Sequence, residues 1–183
     1  DYNAFMNTNT HKAIQLEKND CVLEMGIGNG AFLQSLQKQI GEGKLIGIDY
    51  SETMIEEAKK LNAELIQKNK VEVDHAFIDN MPFSKDYFDK IITVNTVYFW
   101  DNPINYLQEI KRVLKIGGKL AIGFRPKHII EKIPFAQQGF TFYTIEELST
   151  LLTENGFTIL IKETKQDERI TQLETSVIVA QKK

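Results

Sequence analysis

The stretch "CVLEMGIGNGAF", residues 21–32, decides how the chain is read. An apolar run that holds one acid, Glu24, meets three alternating glycines, Gly26, Gly28 and Gly30. Glycine adopts backbone conformations closed to other residues and lets a ligand come close to the main chain. A helical pattern follows at once in "AFLQSLQKQI", residues 31–40, with apolar residues at 32, 33, 36 and 40. The glycines therefore sit in a strand-to-helix turn, where backbone N–H groups and a helix N-terminus converge.

The same alternation continues outward. "LIGID" (45–49) reads as a second strand, and Ser51 or Thr53 caps a helix to about Lys68, with Thr53 and Glu56 matching a capping box. Met54, Ile55, Ala58, Leu61 and Leu65 form its apolar stripe. "VEVDHAFI" (71–78) alternates like a strand and "MPF" (81–83) breaks it; "FDKIITVN" (88–95) is the fourth strand. Asn102 and Pro103 open a helix to about Leu114, and "KLAIGF" (119–124) is a fifth strand. Residues 125–143 read as irregular. Thr144 and Glu147 match another capping box, on a helix that Gly156 closes. "FTILIKET" (157–164) and "ETSVIVAQ" (174–181) are two final strands, joined by a link too short for a crossover helix and so antiparallel. This order predicts an α/β fold, a mostly parallel doubly wound sheet with helices on both faces. Its ligand site belongs at the carboxyl ends of the strands, where the glycines lie.

Composition narrows the partners. The 183 residues fit one domain with a single core, and 42% apolar with 26% charged residues is ordinary for a globular protein. The net charge is −3, and Arg112, Arg125 and Arg169 are the only arginines. That balance argues against a nucleic-acid partner. Cys21 stands alone, so no internal disulfide forms, and no Cys/His cluster suggests a metal. Without a signal-peptide pattern or a long apolar run, the expected location is the cytoplasm, with no membrane partner.

Two ligand chemistries suit the glycine turn. Gly26-x-Gly28-x-x-Ala31, with Asp49 downstream, formally satisfies a dinucleotide fingerprint, which would make the protein an NAD-dependent oxidoreductase. Glu24 argues otherwise, because a carboxylate repels a pyrophosphate and suits a cationic ligand. S-adenosylmethionine, with an ammonium and a sulfonium, is such a ligand.

The chain resembles the class I S-adenosylmethionine-dependent methyltransferases at several collinear blocks. "VLEMGIGNG" is similar to the family's first motif, and "LIGIDYS" to its second strand. "MPF…FDKIITVNTVYFW" resembles its Leu-Pro-Phe turn and fourth strand, and "EIKRVLKIGGKLAIGF" its block before the fifth strand. The resemblance covers about residues 20–181. It implies a three-layer α/β/α, seven-stranded sheet in the order 3-2-1-4-5-7-6 with the last strand antiparallel. It also implies S-adenosylmethionine as cofactor and S-adenosylhomocysteine as product. By the same resemblance Gly26, Ile27, Gly28 and Gly30 cradle the methionine and ribose, and Glu24 works near the ammonium. Asp49 accepts from the ribose hydroxyls. Tyr50 and Met54 flank the adenine, and Asn95 and Thr96 line the methionine side. One departure stands out. Where many relatives carry Gly-Asp, this chain has Ala76-Phe77, so the adenine contact passes to Phe77 packing, Ile78 or Asp79.

Methyl transfer asks mainly for proximity and orientation, since the cofactor carries the activated methyl. The substrate-side candidates are Tyr98 and Trp100 beyond the fourth strand, with Phe99 between them, and His11 and Arg125. Tyr98 is also the one catalytic candidate. Residues 1–19 are expected to form an N-terminal helix or lid, and residues 125–143 an acceptor-side insertion. The expected partner is a small-molecule acceptor, and the expected state a monomer or homodimer. A non-catalytic S-adenosylmethionine-binding module stays open as an alternative.

Overall fold

A computed structural model describes residues 3–132, 139–167 and 173–183. Its seven strands are β1 (Cys21–Met25), β2 (Lys44–Asp49), β3 (Val71–His75), β4 (Phe88–Val94), β5 (Leu114–Phe124), β6 (Phe157–Gln166) and β7 (Glu174–Lys182). They form one sheet in the order β3-β2-β1-β4-β5-β7-β6. The first five strands pair in parallel, and β7 runs antiparallel to both β5 and β6. The central strands are buried on both faces, which is why they read as near-continuous apolar runs.

Helices cover both sides. On one face lie α1 (Ala4–Ala13), α2 (Leu33–Ile40) and α3 (Glu52–Leu61). Met6, Leu36 and Ile55 from these helices pack on Val22, Leu45 and Ile92 of the sheet. The short α4 (Ala63–Gln67) follows α3. On the other face lie α5 (Pro103–Val113) and α7 (Ile145–Glu154), with Leu107, Ile110 and Leu148 against Leu23, Ile91 and Ile122. The four-residue α6 (Lys127–Ile130) follows β5. Alternate residues of the central strands thus feed two separate cores, while the edge strand β3 buries one face only.

Four local expectations change. The helix expected to reach Lys68 breaks at Asn62, whose amide donates to Gly30 O and Ala58 O, both at 3.0 Å. That break leaves Leu61 exposed, outside the apolar stripe. Ser51 rather than Thr53 is the N-cap and accepts from Met54 N. The third strand, expected to reach Ile78, stops at His75, and residues 76–87 form irregular turns. The capping box at Thr144 and Glu147 and the Asn102–Pro103 helix start are both present.

Two glycines fix where α1 and the first turn sit. A side chain at Gly123 of β5 would overlap Thr10 Oγ1, so its absence lets α1 lie directly on the sheet. At Gly30 (φ 71°) a Cβ would stand 2.8 Å from Asn62 Nδ2 and 3.0 Å from Ala58 Cβ. Gly30 therefore serves the packing of α2 against α3.

Candidate functional site

A cavity of about 890 Å³ opens at the carboxyl ends of β1, β2 and β4. This is the place a doubly wound sheet reserves for a ligand, where the strand order reverses. Its floor is the turn after β1. Gly26 (φ 74°) and Gly28 (φ 53°) both have left-handed backbones. Nothing lies within 4 Å of a Cβ built on Gly28, so the main chain is open to the cavity there. A Cβ on Gly26 would overlap Thr96 Cγ2, so that glycine lets the β1 and β4 ends approach each other.

Two buried carboxylates flank the turn. Asp49, at the end of β2, accepts from Gly28 N at 2.8 Å and from Ser51 N at 2.9 Å. Each oxygen holds one backbone donor and keeps acceptor capacity for a ligand. Glu24, in β1, lines the cavity at 4% exposure. Its Oε1 stands 3.2 Å from His11 Nε2 of α1, and both side chains are almost fully buried. The ring of His11 rests edge-on against Phe32.

The next wall comes from the segment after β3. Ala76, Phe77, Ile78 and Asp79 line the cavity, with Tyr50 and Met54 from the β2–α3 connection beside them. Phe77 is half exposed and packs edge-on against His75 at 5.4 Å. The block that follows is held from α5. Arg112 donates to Phe83 O and Met81 O, and Glu109 accepts from Met81 N at 2.8 Å. Arg112 also bonds Glu109 through two nitrogens, a fork that suits guanidinium and carboxylate. This arrangement gives the Glu-Ile-Lys-Arg sequence its work: it ties α5 to the Met-Pro-Phe turn. The Arg112 hydrogen bond, helped by Met81 N–H, holds the Glu109 carboxyl below its ordinary range.

The last wall belongs to β4, to α1 and to the one-turn helix Val97–Phe99. Asn95 has a left-handed backbone (φ 60°) that turns the chain at the end of β4. Its Nδ2 donates to Asn3 Oδ1 at 2.9 Å, so the start of α1 is tethered to the site. Tyr98 accepts from Arg125 N–H and donates to Asn95 Oδ1 at 3.2 Å, which settles the orientation of that amide. Phe99, Trp100 and Tyr106 complete the wall, the last two stacked at 5.5 Å.

Of the residues singled out from sequence, Glu24, Gly26, Ile27, Gly28, Asp49, Tyr50 and Met54 border this one cavity. So do Phe77, Ile78, Asp79, Asn95, Thr96 and Trp100. Four do not. Gly30 lies under the turn, against Asn62. Tyr98 is buried behind the wall, where burial pushes its phenol well above the ordinary range. His11 meets the site through Glu24 and Phe32, without lining the cavity itself. Arg125 turns to the β7 side and donates to Glu174 O at 3.1 Å and Thr175 Oγ1 at 3.4 Å. It is therefore no anion receptor at the cavity.

Sequence reasoning missed Asn3, Asn7, Glu57 and Tyr106, which also line it. Asn3 and Asn7 stand four apart on α1, a helical spacing that marks one face. Of the expected insertion 125–143, residues 133–138 lie outside the described residues. The described part meets the site: Phe140 packs on Phe99 at 4.8 Å and Thr141 N donates to Tyr98 O. Among the described residues no helix is long and apolar enough to cross a membrane, and no group of three His, Cys, Asp or Glu could hold a metal.

Residues 23–122 match the family described as the methyltransferase domain. The chain is 32% identical over 125 residues to the uncharacterized methyltransferase YdaC of Bacillus subtilis (strain 168), covering 68% of this chain and 67% of that protein. It is 30% identical over 112 residues to the demethylmenaquinone methyltransferase of Oceanobacillus iheyensis, covering 61% of this chain and 47% of that protein. The chain thus spans between about half and two thirds of the length of these two curated relatives. The crystal structure of a SAM-dependent methyltransferase from Aquifex aeolicus superposes with a TM-score of 0.80 at 26% identity, over 98% of this chain and 93% of that one. The collinear motifs, the strand order and these likenesses agree: the chain belongs to the class I S-adenosylmethionine-dependent methyltransferase family, whose cofactor is S-adenosylmethionine.

Proposed function

We propose that this chain transfers the methyl group of S-adenosylmethionine to a small-molecule acceptor held between the glycine turn and α1. The observation that carries the reading is the pairing of an open glycine with two buried carboxylates in one cavity. Gly28 leaves the main chain bare, Asp49 keeps acceptor capacity for two hydroxyls, and Glu24 offers an anion to an ammonium. Tyr50, Met54, Phe77 and Ile78 give an apolar slot of the kind an adenine ring needs, with Phe77 acting by packing alone. The residues present therefore fit the cofactor. A volume near 890 Å³ leaves room for a small acceptor beside it.

When bound, the cofactor supplies a methyl already activated on a sulfonium, and in-line displacement yields S-adenosylhomocysteine. The protein's share is placement. His11 holds the Glu24 carboxylate, Asn95 and Asn3 close the α1 side, and Phe99 with Trp100 keeps water out. One curated relative bears the name demethylmenaquinone methyltransferase, which supports an acceptor that is not a polymer.

Calorimetry with S-adenosylmethionine, S-adenosylhomocysteine and NAD tests the cofactor half. Binding of the first two and not of NAD is expected; tight NAD binding alone would sink the reading. Release of S-adenosylhomocysteine from a metabolite panel tests transfer. Cofactor binding with no release from any acceptor would leave a binding module instead.

A further inference from the structure

The cavity is electrically lopsided. Its acids, Glu24, Asp49, Glu57 and Asp79, all come from β1, β2, α3 and the segment after β3. In the strand order these elements occupy one side of the site. The other side is built by α1, the end of β4 and residues 97–106. It offers the amides of Asn3, Asn7 and Asn95, the Thr96 hydroxyl and aromatic rings, with no carboxylate. Among the described residues no lysine, arginine or histidine lines either side. Arg125 donates to Glu174 on β7, and the His11 ring stands behind Glu24 rather than in the cavity.

We propose that the methyl acceptor enters uncharged and attacks through a lone pair already free at neutral pH, as in an aromatic ring nitrogen or a thioether. This rests on the methyl-transfer reading above. The protein offers an anionic acceptor no counter-charge here. The cofactor's sulfonium is the one cation beside it and is lost as the methyl leaves, so the anion would stay buried at a cost of several kcal/mol. A hydroxyl acceptor would need a base, and the neutral side holds none. Its titratable group, the Tyr106 phenol, is kept protonated by burial and by the nearby acids Asp101 and Asp79. Recognition is by amides. Asn95 Oδ1 is taken by Tyr98, one Nδ2 hydrogen goes to Asn3, and the second has no partner among the described residues. That hydrogen can bond a carbonyl or ring nitrogen of a neutral acceptor.

The test uses methyl-labelled S-adenosylmethionine and matched pairs: pyridine carboxamide against pyridine carboxylate, dimethyl sulfide against methylthioacetate, and benzyl alcohol against benzoate. Label is expected on the neutral ring-nitrogen or thioether member, at least about tenfold over its anionic partner, with little change from about pH 6 to about pH 9. Phe99→Lys, at a half-exposed position of the neutral side, should narrow that gap about tenfold through the added counter-charge. Preference for an anionic member, a tenfold rise in rate per pH unit, or an unchanged gap in F99K would each overturn the proposal. Label on no member, while another compound of the metabolite panel accepts the methyl, would overturn this inference alone. Label on no acceptor at all, with cofactor binding intact, would refute the transfer reading and this inference with it.

Discussion

The two sides of the cavity are made differently. The side formed by β1, β2 and the glycine turn is acidic and held by backbone hydrogen bonds. Both Asp49 oxygens are tied to the main chain, and Gly26 and Ile27 N–H groups return to Ile48 O. The side formed by α1 and residues 95–106 is neutral and joined by side-chain bonds between amides and a phenol. Backbone-fixed groups suit an invariant ligand, whereas side-chain links can be exchanged without disturbing the sheet. On the proposed reading the acidic side takes the unchanging cofactor and the neutral side the acceptor, so the construction would follow the chemistry.

The contrast is sharpest where the sides touch. Gly26→Val would drive a β-branched residue into Thr96 and force it to keep a left-handed backbone. The expected loss is about 2–5 kcal/mol of folding stability, read from the thermal unfolding midpoint. A midpoint close to the parent would show that the sides do not need this close approach. Asp49→Ala removes charge-assisted acceptors from the acidic side only. Affinity for S-adenosylhomocysteine should fall by about 1.5–3 kcal/mol in calorimetry, with α1 undisturbed.

A smaller effect is expected at the clamp beneath the acidic side. Glu109→Gln weakens the fork to Arg112, and because that pair is partly solvated the cost should be about 1 kcal/mol. The Glu109 carboxyl titrates below its ordinary 4.5 in the folded chain, so its contribution is full above that value and disappears as pH falls through the folded one. Denaturant midpoints of parent and E109Q should therefore converge under acid conditions. If they stay apart, the fork is not what Glu109 contributes. The smallest effect is at Asn3→Ala, which cuts one exposed link of the neutral side. It should raise the acceptor KM with cofactor affinity within about 0.5 kcal/mol of the parent. Equal losses in both would erase the distinction between the sides.

Much of the acidic side lies within one strand-turn-helix-strand unit, so Glu24, Gly26, Gly28 and Asp49 stood out in sequence, whereas Gly30 packs on Asn62 and Glu57 of α3 was missed. The strand order was legible through the same family blocks. The neutral side was not, for physical reasons. Asn3 and Asn7 reach it only because α1 folds back over β5, and the seat for that contact is Gly123, remote in sequence. Arg125 follows a strand that ends near the cavity, but its guanidinium takes up Glu174 and Thr175 on β7, a pairing no local pattern announces. Tyr98 stands within the aromatic run, yet a one-turn helix points Phe99 to the cavity and buries its neighbour. The helix expected to run on to Lys68 failed for a similar reason: Asn62 leaves it to bond Gly30.

The seat of α1 has a consequence for the order of assembly. This helix precedes every strand in the chain, yet the surface it occupies belongs to β5, which pairs with β4. It must wait, as an isolated helix of ten residues, for a contact of very long sequence separation. The cavity therefore acquires its roof last. Pulse-labelled amide exchange during refolding should show α1 gaining protection together with or after β5, and never before β1.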